Sequence, residues 1–380
     1  MPASAEKISG PSTDVEHALS SLAMAREHTF ALVAGLSEEQ LEQVHSPIMS
    51  PLAWDLGHIA AYEDLWLAHR HGGLELLRAD LAELYDAFET PRARRGEIDA
   101  LGAVEAGEYL SAVRARTAAV IAAEGVGDGV VCEMVIRHEL QHGETMRQTL
   151  AIAGLLAAAD RTRMGAPLDG VAQEGWLGFP AGSFAIGAGT EVFAYDNERP
   201  RHTVDVPAFT LARRPVSCAS WMRFSEGGGY ERREWWSDEG WAWKQEHDIT
   251  HHATVAASHP AAPACHVSWF EAVAFARAHD ARLPTEQEWE RAATWNQAPD
   301  GAPAAIGRVW EWTSSSFYGY PGFTAHPYRE YSEVFFGEDY RVLRGGSWAT
   351  HPRVAAATFR NWDLPQRRQI FAGVRLARDA

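Results

Sequence analysis

At 380 residues the chain is longer than one ordinary hydrophobic core serves, so two domains are expected. Its 51 acidic against 34 basic residues leave a net charge of −17, which argues against a phosphate-tracking surface and so against a nucleic-acid partner. The three cysteines, Cys132, Cys218 and Cys265, form no CxxC pair, which excludes a disulfide scaffold or a cysteine zinc site and predicts a reducing, cytoplasmic setting.

Residues 1–160 read as helices. The opening stretch "MPASAEKISGPST" has no apolar core, so no signal sequence is expected, and no apolar run of membrane-spanning length follows it. From Asp14 to about Leu36 apolar positions recur at three and four. A second helix is expected from Ser50 as N-cap and Pro51 in the first turn to about His71. Two more, "VEAGEYLSAVRARTAAVIAAEG" and "VVCEMVIRHELQHGETMRQTLAIAGLLAAA", complete an N-terminal four-helix bundle. Residues 161–175 lose periodicity and gain charge, Gly and Pro, which predicts a linker. From Trp176 to Ala380 short runs such as "FAIGAG", "HTVDVPAFTLA" and "YRVLRGGSW" alternate with Gly, Pro and Trp-rich loops. A second domain of short strands and structured loops is expected there, with "SWFEAVAFARAHD" as its clearest helix.

"HELQHGETM" carries the sharpest chemical signal. His138 and His142 lie on one stripe with Val131, Met134, Val135, Thr145, Met146, Thr149 and Ala153, so both are expected to face the bundle core. Spacing of four stacks two imidazoles on one helix face, the arrangement by which a helix offers two nitrogens to one metal. His58, in "SPLAWDLGHIAAYEDLW", lies close to an apolar stripe of its own and is the expected third ligand. Set against this, buried histidines are more often hydrogen-bonded core residues, and the chain uses histidine freely, including the exposed-looking His69, His71, His251 and His252. Three neutral imidazoles suit zinc hydrolysis, with Glu144 or Glu63 as general base, or non-haem iron and dioxygen; ligand type leaves both open.

Taken in order, "MSPLAWDLGHIAAYEDLW", "HELQHGETM", "DNERPRHTVDVPAF", "ARLPTEQEWE", "VWEWTSS", "DYRVLRGGSW" and "FRNWDLPQRRQIFAGVRLA" resemble the ergothioneine-biosynthesis sulfoxide synthases, the hercynine oxygenase family, over nearly the whole chain. "RGGSW" alone is shared with the wider formylglycine-generating-enzyme-like domain; its combination with the HxxxHxE helix is specific. The resemblance implies an α plus α+β architecture, a DinB-like four-helix bundle followed by a C-type-lectin-like formylglycine-generating-enzyme-type domain. It implies Fe(II) held by His58, His138 and His142, dioxygen as co-substrate, and two small-molecule substrates, hercynine and a thiol, joined between the imidazole C2 and sulfur as a sulfoxide. Tyr328 in "HPYREYS" matches the family's active-site tyrosine, with Tyr331 as the alternative register. Gln141 and Asn361 match hercynine contacts. Arg92 and Arg95, with Trp362, Asp363 and Arg367 of "NWDLPQR", match the positions that hold gamma-glutamylcysteine, where guanidinium forks suit carboxylates and an acid suits the amine. Taken alone, Arg92, Arg94 and Arg95 read as a solvated basic loop and Asp363 with Arg367 as a structural ion pair.

The chain departs from the family after Trp295, where "NQAPDGAPAAIG" stands in place of several dozen residues including a "PWG"-type loop. That puts the donor in question, and a selenoneine synthase taking a selenosugar, or free cysteine as donor, are the alternatives. A zinc-dependent DinB-type thiol transferase would leave the second domain idle. A sulfatase-activating oxidase would need a C-terminal cysteine pair that "FRNWDLPQRR" does not contain. A cytoplasmic monomer without membrane or nucleic-acid partners is expected.

Overall fold

The structure is a computed structural model and describes residues 14–168, 175–252, 254, 258–295 and 307–380. It divides into two compact units, Met1–Leu156 with Thr190–Phe193, and Ala157–Gly189 with Ala194–Ala380.

The first unit is built on four long helices: α1 (Val15–Val33), α3 (Leu52–Glu63), α4 (Ala103–Glu124) and α5 (Val130–Ile152), with a short α2 (Glu38–Glu42) between the first two. Asp14 caps α1 by accepting from the His17 amide, and Ser37 with Gln40 forms a reciprocal capping box on α2. α3 begins one residue later than expected. Pro51 occupies the N-cap, where its ring has no group to cap with, and the Ser50 hydroxyl accepts from Arg95 Nη1 at 2.9 Å. The helix then continues with π geometry over Asp64–His71. α5 stops at Ile152, and a separate short helix, α6 (Ala158–Met164), runs into the stretch read as linker.

At the centre of the bundle each long helix contributes one charge. Arg26 of α1 donates from Nε to Glu139 of α5 at 2.8 Å and from Nη2 to Glu63 of α3 at 2.7 Å. Arg114 of α4 donates to the other oxygens of the same two carboxylates, at 2.7 and 2.8 Å. Burial alone would raise the Glu63 carboxyl, but Arg114 and Arg26 outweigh it and hold it below the ordinary carboxylate range. With both oxygens engaged, Glu63 is not the general base that a zinc hydrolase would need.

In the second unit β1 (Trp176–Phe179), β4 (Phe209–Ala212) and β9 (Ala377–Asp379) form one antiparallel sheet, and β2 (Gly182–Ile186) pairs with β3 (His202–Val206). A four-stranded sheet runs in the order β7 (Asn361–Asp363), β6 (Gly337–Arg344), β5 (Trp310–Phe317), β8 (Ala372–Gly373), with β8 parallel to β5. Helices α7 (Cys218–Glu226), α8 (Asp238–Glu246), α9 (Trp269–Ala278) and α10 (Glu286–Ala293) complete it. Only α9 was conspicuous in the sequence. α10 begins at "TEQE", a capping box between Thr285 and Glu288, and three of its glutamates are buried because Arg282, Arg344 and Arg360 pair with Glu288, Glu290 and Glu286. Trp289, Trp312 and Trp269 pack and donate, to Glu311, the Val267 carbonyl and the Thr313 carbonyl, whereas the buried Trp348 Nε1 has no hydrogen-bond partner. His252, which looked exposed, is buried against Trp221. Among the described residues no helix is long and apolar enough to cross a membrane.

Candidate metal centre

α3 and α5 bring His58, His138 and His142 together, with one potential ligand nitrogen from each lying within 4.8 Å of the others. The Nε2 atoms of His58 and His138 are 3.2 Å apart. Two imidazoles on one metal at about 2.1 Å each stand about 3 Å apart, so the spacing fits shared coordination. The α5 stripe is not that helix's only buried face, since α5 is buried around nearly its whole circumference. Glu139 points into the charged centre, whereas His138 and His142 are half-buried and meet His58 from α3.

Each ring is oriented by its surroundings. His58 Nδ1 lies 2.7 Å from the Tyr85 carbonyl oxygen, which takes an Nδ1–H and leaves Nε2 as the ligand atom. Trp54 stacks on His58 with centroids 4.9 Å apart, and Tyr62 stacks on His138 at 3.7 Å. Tyr85 reaches this position because residue 57 is glycine: a Cβ on Gly57 would fall 2.1 Å from the Tyr85 ring. Asp55, one turn before His58, lies 3.3 Å from His142 Nδ1. Desolvation, and then the neighbouring histidine charges, push the His58 and His138 imidazoles well below their ordinary range, so both are neutral donors at pH 7. Three converging imidazoles, one with a carbonyl acceptor at its far ring nitrogen and one with a carboxylate 3.3 Å from it, fit a divalent transition metal.

The remaining predicted residues fall into two groups. In the first unit Gln141 is half-buried on α5 beside the histidines, and Arg92 is exposed on a short turn. Arg95 is buried. It donates to the Thr90 and Ala87 carbonyls as well as Ser50, and its guanidinium lies 3.7 Å over the Trp54 ring. These bonds place Arg95 in the scaffold behind His58, a correction to the solvated basic loop read from the sequence alone. In the second unit, Asn361, Trp362 and Asp363 form β7, paired with Leu343, Val342 and Arg341 of β6. Arg367 lies 3.7 Å from Asp363, the structural pair weighed from sequence. Tyr328 and Tyr331 flank a short turn and have different surroundings. Tyr331 stacks on Tyr195 at 4.3 Å and meets Trp362 edge-on, while Ser332 beside it donates to Asp196 at 2.7 Å. Tyr331 is thus packed on two sides, and the Tyr328 ring meets its edge at 6.3 Å. Asp55, Trp54, Tyr62 and the Tyr85 carbonyl escaped the sequence reading. Asp55 shares a helix face with His58, which was the available signal; the Tyr85 carbonyl left none.

Two family models match the chain: the DinB superfamily over residues 21–146, and the sulfatase-modifying factor enzyme 1-like domain over 170–301 and 294–380. A hercynine oxygenase of Mycobacterium tuberculosis is 40% identical, across 97% of this chain and 100% of its own. The chain belongs to the hercynine oxygenase family. It is an enzyme of the oxygenase class. Another such relative, from Mycolicibacterium smegmatis, is 40% identical over 94% of this chain and 97% of its own, whereas a formylglycine-generating enzyme of Streptomyces coelicolor is 28% identical over 54% of this chain. The alignment to the Mycobacterium tuberculosis protein runs to 427 positions against a chain of 380, so that relative carries segments this member of the family lacks. The second family model breaks near residues 294–301, where the shortening was read; residues 296–306 lie outside those described.

Proposed function

We propose that this chain binds Fe(II) through His58, His138 and His142 and uses dioxygen to join the sulfur of gamma-glutamylcysteine to C2 of the hercynine imidazole, giving the sulfoxide conjugate of ergothioneine biosynthesis. The observation that carries the reading is the convergence of three imidazoles in the DinB unit of a chain 40% identical to hercynine oxygenases end to end. A relative named ergothioneine biosynthesis protein 1, from Neurospora crassa, is 42% identical over 76 residues and supports the same pathway. The reaction balances: the thiol and C2 each lose a hydrogen, one oxygen atom ends on sulfur and the other leaves as water.

Bound iron would activate dioxygen and acidify the thiol. The three histidines would hold it by imidazole nitrogens. The half-buried Gln141, three residues from His138 and one from His142, offers an amide to the hercynine imidazole or carboxylate. Tyr328 offers a phenol as proton donor, and Asn361, Trp362, Asp363, Arg367 and Arg92 are the proposed substrate contacts; Arg95, matched to the same set in sequence, shapes the site through its bonds to Thr90, Ser50 and Ala87. The three cysteines are buried, and burial pushes the Cys218 thiol up to about 11, which does not suit a sulfatase-activating oxidase. The shortened segment favours one second reading, an altered donor: free cysteine, or a selenosugar as in selenoneine synthesis. Both readings take the protein to be a cytoplasmic monomer.

The test is anaerobic Fe(II) loading followed by mass spectrometry of aerobic reactions of hercynine with gamma-glutamylcysteine, cysteine or a selenosugar in parallel. A sulfoxide conjugate with gamma-glutamylcysteine is expected, and His142→Ala should abolish it. A selenium adduct alone would replace this reading with the selenoneine one, and no product from any donor would overturn both.

A further inference from the structure

The Asp55 side chain is fully buried, and neither carboxylate oxygen has a hydrogen-bond partner. His142 Nδ1, 3.3 Å away, is likewise buried and unsatisfied. Arg95, a cation on which the Asp55 charge acts, directs Nε, Nη1 and Nη2 to Thr90, Ser50 and Ala87 instead. Burying a carboxylate without a donor destabilises a fold, and chains retain such a group where a ligand makes use of it.

We infer that Asp55 is a positioning residue of the metal centre: its carboxylate takes the Nδ1–H of His142, selects the tautomer that presents Nε2 to the metal, and adds a negative charge just outside the ligand set. The inference rests on the histidine centre proposed above. It also changes the electrostatics of that centre. Three neutral ligands alone would leave the full double positive charge of the metal uncompensated; Asp55 offsets part of it through the imidazole, while keeping every position on the open face for substrates. His58 is held differently, by the neutral Tyr85 carbonyl, so the ligands are not equivalent: His142 faces a carboxylate and His58 a neutral oxygen.

The test uses the full-length, metal-free protein titrated with Co(II), alongside Asp55→Asn, which preserves shape and removes the charge. Expected are a loss of Co(II) affinity of about 10- to 100-fold and a thermal midpoint of the metal-free variant equal to or above that of the wild type. A residue of purely structural value would lower the midpoint, so affinity and stability falling together would overturn the inference, as would unchanged affinity. If Asp55→Asn does not fold, the inference is likewise overturned in its stability half, and nitrogen NMR of histidine-labelled wild type decides the rest: an Nδ1–H tautomer at His142 is expected and an Nε2–H tautomer refutes it. Failure of the wild type to bind Co(II) or Fe(II) would sink the histidine centre itself, an outcome distinct from a variant that binds as tightly as its parent.

Discussion

Single residues in this chain are separated by their surroundings more than by their type. Tyr328 and Tyr331 are three apart and chemically identical, yet Tyr331 is sandwiched between Tyr195 and Trp362. Tyr331→Ala is therefore expected to cost about 1–3 kcal/mol in chemical denaturation, whereas Tyr328→Phe, which keeps the ring, should slow product formation by about 100-fold or more. His266 is a second case. It sits at φ +66°, and burial, followed by the charge of His252, holds its imidazole down to about 4 against an ordinary 6.5. Between those values the unfolded chain carries the proton and the folded one does not. Stability should accordingly be full above the unfolded value and decline as pH falls from 6.5 toward 4, by up to about 3 kcal/mol. His266→Asn tolerates the left-handed backbone and should flatten that slope in denaturant midpoints measured at pH 7 and pH 5.

Between elements, the register of α3 against α5 brings the three histidines together. Glu63 and Glu139, one residue beyond Tyr62 and His138, are gripped by the same two arginines, so the charged centre of the bundle ties the two histidine-bearing helices together. Removing one partner leaves the opposite charges buried and unpaired. Glu139→Ala is expected to lose about 3–5 kcal/mol of stability in urea unfolding. Gly57 acts on the same register from the other side, because a side chain there would displace Tyr85 and with it the carbonyl that orients His58. Gly57→Ala should weaken Co(II) binding in titration by about 10-fold or more.

For the molecule as a whole, a ligand that binds only the folded chain adds stability by mass action. Fe(II) at about 100 times its dissociation constant should contribute about 2.7 kcal/mol, read anaerobically as a raised thermal midpoint that a chelator reverses and His58→Ala abolishes. The bundle, the two-domain order and the candidate ligands were legible because helical periodicity, capping residues and linearly quoted motifs are local properties of the chain. His138 and His142 needed only a spacing of four; α10 needed its TEQE box, a local signal that a run of charged residues obscured. What stayed hidden depended on residues distant in sequence. That Glu63 is engaged rather than basic follows from arginines 37 and 51 positions away, and that Arg95 is packed on Trp54 follows from a chain reversal that no periodicity records. Asp55 is the clearest instance. Its helix face follows from counting along α3, but its burial without a donor, and its approach to His142, exist only once α5 is packed against that face.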